Sequence, residues 1–443
     1  MSNLRVFEGF AGIGAVSKAI SRLGTPYQLV GFSEIDDAAV KSFCAIHNVA
    51  PDLNYGDICL IDETTLPDFD LFATGFPCQD FSVAGKQKGS FWTCNDCGSE
   101  YNPLDVHYSE REVCPSCTSG NIQKSRSSLV VEALRIVRYK RPKYLLIENV
   151  KNLINKQFKS SFDRILSELN EYGYSTNWQV LNAKDYGTPQ RRERVFVLCV
   201  RSDIDIGTFT FPTGFDSGVR LKDILESQVD DKYYLSPEEL SRIKIELKSI
   251  SDTNRIIKYD VTMPVTVRKY EVDILSLQTL LRSSKARSKF TNKQIADHLG
   301  VPMTLVEHWF RTDRSFSIPD AKIWHRLKKL LNITDNSFDK SITTYIVRDG
   351  VYDKANRIYD SSGIAPTLTR ASANEKILIR REDGYDIRRL TPKEAWLLMG
   401  FDATDFDKAQ AAGVSDAQLY KQAGNSIDVN CLYRLFKTIR KFM

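Results

Sequence analysis

No apolar run in the 443 residues approaches the ~18 uninterrupted positions of a membrane-spanning helix. The opening stretch MSNLRVFEGF has no signal-peptide character, because it runs straight into a strand-like pattern; the expectation is a cytoplasmic protein. Internal repeats and low-complexity tracts are absent. Nine cysteines, an odd number without a secretory leader, argue against a disulfide framework and for reduced thiols that bind metal or react. A net charge of +5 over this length is too small to demonstrate a nucleic-acid partner by itself. What remains is the composition of a soluble globular protein, 42% hydrophobic and 26% charged, long enough for two or three domains.

The charge is unevenly placed. Between Arg255 and Leu330 about fifteen Lys and Arg stand against about seven Asp and Glu, which fits either a phosphate-facing surface or a solvated basic face. The first 200 or so residues alternate short apolar runs with amphipathic segments, predicting a doubly wound α/β domain with a parallel sheet. Strands are expected at Leu4–Phe7, Tyr27–Ser33, Leu71–Thr74, Tyr144–Glu148 and Val195–Val200. Helices are expected at Gly14–Leu23, Asp37–His47, Leu129–Lys140 and Ser160–Tyr172. The pattern breaks near Phe211-Pro212, and a helical pattern resumes near Arg388. This predicts a catalytic domain over 1–211, a smaller mixed domain over 212–387, and a return to the first domain over 388–443.

In such a fold, ligands sit at the carboxyl ends of the strands. After the first strand comes Phe7-Glu8-Gly9-Phe10-Ala11-Gly12-Ile13-Gly14, a glycine-rich turn opening a helix, where backbone N–H groups approach a ligand closely. Alone it is as readily a plain tight turn. Glu34, at the end of the second strand, can grip ribose hydroxyls, and Asp57, expected at the end of the third, can accept from an adenine amino group. With Ile35 and Ile58 they describe a site for an adenosine-containing cofactor. The strand Leu71–Thr74 runs into Gly75-Phe76-Pro77-Cys78-Gln79-Asp80-Phe81-Ser82, which exposes a thiol toward that cofactor. A lone cysteine is more often a small buried hydrophobe than a nucleophile.

The run PCQDFS with Val83-Ala84-Gly85-Lys86-Gln87-Lys88-Gly89 resembles the catalytic loop of the DNA cytosine-C5 methyltransferases. FEGFAGIGA resembles that family's cofactor loop, with Glu8 where the family more often has Asp. Glu148-Asn149-Val150 resembles its ENV block, and Gln190-Arg191-Arg192-Glu193-Arg194 its QxRxR block. Arg389-Leu390-Thr391-Pro392-Lys393-Glu394 with Met399-Gly400-Phe401, then Gln422-Ala423-Gly424-Asn425-Ser426, resemble the last two blocks. The resemblance covers roughly 1–200 and 385–443. It implies a Rossmann-like domain binding S-adenosylmethionine through Phe10, Ala11, Gly12, Gly14, Glu34, Ile35, Asp57, Ile58, Pro77, Asn425 and Ser426.

It also implies a chemistry. C5 of cytosine becomes a carbon nucleophile once Cys78 adds at C6. Glu148, with a raised pKa, holds a proton at N3; Arg192 binds the O2 side and Arg194 supports Glu148 or orients the loop. The base must leave the duplex, and Gln79 and Ser82 of the catalytic loop, with Arg126 and Gln190, would contact DNA. The bland alternative for Glu148 and the arginines is a structural ion-pair network.

Two features lie outside these blocks. Cys94-x2-Cys97 and Cys114-x2-Cys117 have the spacing of a structural four-thiolate zinc site, inserted over 90–123 beside the catalytic loop; the alternative is reduced, unmetallated thiols. His107 is a possible substitute ligand. The knuckle is expected either to add DNA backbone contacts, to steady the loop, or to be a packing module. Phe290–Ile333 reads as short helices with a helix-turn-helix over Thr291–Phe310, whose second helix offers Thr304, Glu307, His308 and Arg311 to a groove. Ala365-Pro366-Thr367-Leu368-Thr369 resembles the family's target-strand contact, naming Thr367 and Leu368.

The expected partners are double-stranded DNA and a functionally paired restriction endonuclease, with no membrane and a monomeric chain held at the nucleoid through DNA. Three other readings stand beside this one: an RNA-directed relative, a non-enzymatic DNA-binding regulator, and a nicotinamide-dependent oxidoreductase that rests on the glycine turn alone.

Overall fold

The computed structural model describes residues 3–77, 91–204, 209–237, 240, 243–244, 256–258, 260–261, 273–313, 315–319, 321–339, 357–369, 375–381 and 384–440. The chain forms two compact units, one from 1–240, 245–259 and 355–443, the other from 241–244 and 260–354.

The larger unit is built on a six-stranded sheet. Its strands are β1 (Leu4–Gly9), β2 (Tyr27–Ser33), β3 (Leu71–Thr74), β7 (Tyr144–Val150), β8 (Tyr174–Asn182) and β9 (Glu193–Arg201), in the order β2-β1-β3-β7-β9-β8. Three smaller strands, β4 (Trp92–Cys94), β5 (Glu100–Tyr101) and β6 (Ile122–Lys124), pair separately in the order β5-β4-β6. In the large sheet β2, β1, β3 and β7 run parallel, while β9 is antiparallel to both β7 and β8. The sheet is thus parallel over four strands and antiparallel at one edge. In β8 buried and exposed positions do not alternate cleanly, so YSTNWQVLN carries no strong strand signal.

Side chains alternate between two cores, as the period of a strand requires. Val6, Leu71, Ala73, Leu146 and Leu198 enter one core; Phe7, Phe72, Leu145, Ile147 and Val197 enter the other. Helix α1 (Ala15–Leu23) buries Val16, Ala19, Ile20 and Leu23 in the first core and ends at the left-handed Gly24. Helix α2 (Asp37–His47) starts at Asp36, whose side chain accepts from the Ala38 and Ala39 amides. Helices α3 (Val130–Lys140) and α4 (Lys159–Glu171) cover the second core.

The chain returns to the first core at its end, where Trp396, Leu419, Leu432 and Phe436 are buried. The compact unit also takes in residues on both sides of the smaller one. Leu221 is fully buried in the first core, and the Leu221 amide donates to Gly363. A four-stranded mixed sheet joins Ile256–Lys258, Arg357–Asp360, Lys376–Arg381 and Gly384–Arg389. Arg388 of its last strand forms a fully buried ion pair with Glu394, at 2.6 Å.

The smaller unit has its own core. Helices α5 (Ile274–Ser288), α6 (Asn292–Leu299), α7 (Met303–Trp309) and α8 (Ala321–Leu330) surround Leu277, Leu281, Ile295, Leu299, Val306, Trp309, Trp324 and Leu327. Thr291 and Gln294 form a capping box at the start of α6, and left-handed Gly300 ends it. No helix of the described residues is long and apolar enough to cross a membrane.

Candidate active site

The carboxyl ends of β1, β3 and β7 border a cleft of roughly 430 Å³ of open space, lined by Glu8, Phe10, Ala11, Gly12, Thr74, Gly75, Glu148, Asn425 and Ser426 among others. The turn after β1 has Phe10, Gly12 and Gly14 at positive φ. At Gly14 a side chain is excluded twice, by φ 78° and by His47, whose Nε2 would lie 2.1 Å from a Cβ. Burial pushes the His47 pKa down to about 4, so the ring is neutral at pH 7 and its Nε2–H donates to the Ile13 carbonyl at 3.2 Å. His47 thus fastens the glycine turn from beneath, a role the sequence reading missed because the residue lies far away in sequence and inside no block.

Glu34 closes the turn from the side. Its Oε2 accepts from the Gly12 amide at 2.9 Å, and its Oε1 accepts from the Ile35 and Asp36 amides at 2.9 Å each. Asn54 supports it by accepting from the Glu34 amide and donating to the Glu34 carbonyl. Asp57 does not end a strand as expected. It caps a short helical turn by accepting from the Cys59 amide, and that stretch meets the sheet through an isolated bridge between Phe32 and Asn54 and the Ser33 hydroxyl on the Gly56 carbonyl. Its carboxylate is nonetheless exposed, with Ile35 exposed and Ile58 buried beside it.

Cys78, Gln79 and Ser82 lie outside the described residues, as does the side chain of Arg126. The approach to Cys78 is described as far as Pro77. There Asn149 donates from Nδ2 to the Phe76 carbonyl at 3.1 Å and ties the end of β3 to β7. Next to it, Glu148 is 8% exposed and pairs with Arg194, Oε1 to Nε at 3.2 Å. Burial raises the Glu148 pKa, while Arg194 and Arg192 oppose that shift without overcoming it. Gly75 lies beside it, its Cβ position 3.4 Å from Glu148 Oε2.

Three expected contact residues turn inward instead. Arg192 is 3% exposed and donates to the Leu368, Gly424 and Ser426 carbonyls at 3.2, 3.3 and 2.7 Å. Its fork joins three chain segments rather than facing the cleft, so the assignment of Arg192 to a substrate oxygen is corrected. Gln190, assigned to DNA, is fully buried; its Oε1 accepts from the Leu368 amide and its Nε2 donates to the Leu398 carbonyl. Leu368, also assigned to DNA, is core at 1% exposure, whereas Thr367 is half-buried with its hydroxyl on the Arg191 carbonyl. Asn425 is exposed at the cleft, and Ser426 is buried with its hydroxyl on the Ile427 carbonyl.

The four cysteines of the insertion converge, with all four Sγ atoms within 4.8 Å of one another. Cys94 and Cys117 are 3.5 Å apart and Cys97 and Cys114 3.7 Å, close to the roughly 3.8 Å edge of a tetrahedron with ~2.3 Å metal–sulfur bonds. The two CxxC turns are alike: left-handed Gly98 and Thr118 follow the second cysteine, and the Cys94 and Cys114 amides donate to Ser99 and Ser119. The donor set fits Zn²⁺. His107 is not in the cluster; its Nδ1 meets the Ser109 hydroxyl.

In the smaller unit, α6 and α7 follow one another across left-handed Gly300, over the stretch expected to hold a helix-turn-helix. Thr304 and Arg311 are exposed, Glu307 and His308 half-buried. Arg311 pairs with Asp313 at 2.7 Å, and His308 Nδ1 meets the Ser315 carbonyl oxygen at 2.7 Å.

The family model described as C-5 cytosine-specific DNA methylase matches residues 4–93 and 117–441. The chain is 33% identical to the orphan methyltransferase M.SPBetaI of Bacillus phage SPbeta, over 99% of this chain and 98% of that one. It is equally identical, with the same coverage, to the putative type II methyltransferase M.BsuMIIP of Bacillus subtilis strain 168. Among solved structures, Dnmt2 methyltransferase of S. pombe is similar at TM-score 0.53 and 14% identity, covering 99% of both chains, a likeness of fold.

Proposed function

Because the chain belongs to the C-5 cytosine-specific DNA methylase family, we propose that its DNA cytosine-C5 methyltransferase activity runs through a covalent adduct between Cys78 and C6 of a cytosine turned out of a duplex. The observation that supports this best is Glu148, buried beside the cofactor cleft with a raised pKa and Arg194 at 3.2 Å. S-adenosylmethionine supplies the methyl group as a sulfonium, and Phe10, Ala11, Gly12, Gly14, Glu34, Ile35, Asp57, Ile58, Pro77, Asn425 and Ser426 are the residues proposed to hold it.

The remaining steps fall to side chains. The Cys78 thiolate forms the S–C6 bond, and the C5=C6 electron pair moves into the ring, where protonated Glu148 gives its proton to N3. Carbon 5 is then nucleophilic. After it is methylated, a base takes the C5 proton, C5=C6 reforms as the thiolate leaves, and N3 returns its proton to Glu148. With Arg192 held by carbonyls, Arg194 is the arginine proposed for the O2 side.

The duplex is proposed to be read by the 212–387 region, with Thr304, Glu307, His308 and Arg311 of the helix-turn-helix at base edges and Thr367 against the target strand. Zn²⁺ is proposed for Cys94, Cys97, Cys114 and Cys117 as a structural ion that leaves no open coordination position. Of the roles expected for the knuckle, steadying the chain beside the catalytic loop is favoured by its surface. Asp96, Glu100, Asp105, Glu110 and Glu112 are exposed, while Arg111 and Lys124 are engaged with carboxylates. The relatives are named both orphan and type II; we propose that methylation protects DNA from an endonuclease cutting the same sequence.

Bisulfite sequencing of DNA from cells expressing the protein tests this reading. A protected cytosine in one short sequence, lost with Cys78→Ala, is expected. Methylation that survives Cys78→Ala would remove the covalent mechanism, and protected tRNA with unprotected DNA would redirect the substrate.

A further inference from the structure

Arg135 has no place in the mechanism above, yet its guanidinium meets the backbone of the stretch proposed for the nucleoside. It stands on α3, one turn after Glu132, and is half-buried. Its Nη2 donates to the Ile58 carbonyl at 3.1 Å, its Nη1 to the Ile61 carbonyl at 2.8 Å and its Nε to Glu132 at 3.0 Å, while Nη1 also pairs with Glu63. One planar fork therefore holds the carbonyls at the start of the Ile58–Leu60 turn and just past it, which the single ammonium of a lysine would not do.

The fork is itself fixed. Glu132 is 2% exposed, with one oxygen on Arg135 and the other on Lys124, whose Nζ donates at 2.8 Å. Lys124 belongs to β6, lies over the Trp92 ring at 4.7 Å and pairs with Glu112 at 3.3 Å. A buried carboxylate met from two sides gives the guanidinium a set direction.

The stretch it grips runs beside Glu34. The Ser33 hydroxyl donates to the Gly56 carbonyl at 2.7 Å, and Asn54 Oδ1 accepts from the Glu34 and Gly56 amides at 3.0 and 3.1 Å. Glu34 in turn accepts from the Gly12 amide, whose residue lines the cleft. Asp57 follows Gly56 with its carboxylate exposed, and Ile58 and Ile61 anchor the turn in the second core. Buried side chains set the depth of the turn; the grip on its carbonyls sets how it is rotated, and with it the direction of Asp57.

We propose that Arg135 is a positioning residue for adenine recognition, holding the Ile58 and Ile61 carbonyls so that the turn carrying Asp57 presents its acceptor to the adenine amino group. This rests on the proposal that Asp57 and Ile58 hold the nucleoside of S-adenosylmethionine.

Calorimetry on the full chain with two probes tests it: S-adenosylhomocysteine, and S-inosylhomocysteine, in which a carbonyl replaces the amino group of the base. Wild type is expected to prefer the first. Arg135→Met is expected to bind S-adenosylhomocysteine roughly five- to tenfold more weakly, about 1–1.4 kcal/mol, with little change for the inosyl probe, so that the preference shrinks. Asp57→Ala is expected to abolish the preference, and Arg135→Met added to it to cost little more. In turnover, KM for S-adenosylmethionine is expected to rise in Arg135→Met while kcat at saturating cofactor stays near wild type. Arg135→Lys, which keeps the charge beside Glu132 and can hold one carbonyl, is expected to show an intermediate preference, and is the test by itself if Arg135→Met does not fold. A preference left at the wild-type value in the variants that fold, or an equal loss for both probes, overturns the assignment. A wild-type chain that binds the two probes alike, or neither, overturns the reading of Asp57 itself.

Discussion

Arg111 and Glu168 form a doubly hydrogen-bonded ion pair, at 2.7 and 3.2 Å, with both side chains less than a tenth exposed. It fastens the four-cysteine insertion to α4. Arg111 also donates to the Pro103 and Val106 carbonyls, and Tyr172 donates to Glu168, so the pair is satisfied on both sides. Nearby, Trp92 is fully buried and donates to the Ser128 hydroxyl, with Lys124 over its ring.

Removing one member of such a pair leaves a buried charge unmet. Arg111→Met is expected to destabilise the protein by about 3–5 kcal/mol in urea unfolding, with one zinc per chain retained in metal analysis. Neutralising Asp96 and Glu112 together is expected to leave DNA affinity unchanged or tighter, with the same salt dependence. Weaker binding with a shallower salt slope would mean that the insertion contacts phosphates after all.

Glu148 carries a pH prediction in which two effects run together. Its folded pKa is raised by burial, so the native state binds the proton more tightly than the unfolded chain does. Stability from this group is present at low pH and is lost as pH rises past the ordinary carboxylate range. Glu148→Gln is expected to lower kcat by roughly 10²–10⁴-fold while flattening that part of the stability profile. Retention of full kcat by the amide would remove the proton-donor role.

Arg192 and Arg194 are two residues apart and should respond differently. Arg192→Ala abandons three carbonyls in two distant segments and is expected to lower the melting temperature markedly. Arg194→Ala is expected to keep the fold and lose kcat, with DNA affinity close to wild type. If Arg192→Ala folds normally and loses only kcat, the original assignment to the substrate oxygen is restored.

Glu8 has the second unusual carboxyl group, fully buried and pushed up to about 7 by desolvation, against bonds from Ser17 that favour the anion. Between the ordinary carboxylate value and pH 7 the folded state holds the extra proton, so stability falls with rising pH. The loss across that window is on the order of 3 kcal/mol. Glu8→Gln is expected to remove the slope, matching wild type near pH 4.5 and exceeding it at pH 8 in denaturant titrations. A slope that persists in the variant would assign it to another group.

On α7, Thr304 is exposed, and Arg311, just past the helix, pairs with Asp313. Thr304→Ala and Arg311→Ala are each expected to weaken binding to the recognised duplex by about 1–3 kcal/mol, with no change in cofactor affinity. Equal weakening on unrelated duplexes would make them phosphate contacts rather than base readers.

Local patterns made much of this legible. The apolar alternation of β1, β3 and β7, the amphipathic face of α1 and the ends of α2 all follow from short stretches of chain. The CxxC pairs announced a four-thiolate cluster by spacing alone, and the four sulfurs do converge. Strand β8 was not legible, because an edge strand carrying polar and exposed residues lacks a clean two-residue period. The direction of β9 was not legible either, since the same buried run suits a parallel or an antiparallel neighbour.

The blocks therefore pointed to candidate residues, because chemistry constrains residue type: a carboxyl near the end of β7, a glycine turn after β1, paired thiols in the insertion. What each block residue does depended on packing across the chain. Gln190 and Arg192 carry the donors of DNA- or substrate-binding residues, yet both are spent on backbone from 365–426, partners hundreds of positions away that no local pattern reports. His47 under Gly14 was invisible for the same reason. The residue types come from the sequence; only the tertiary structure decides which of their polar atoms are already bonded and which still face the cleft.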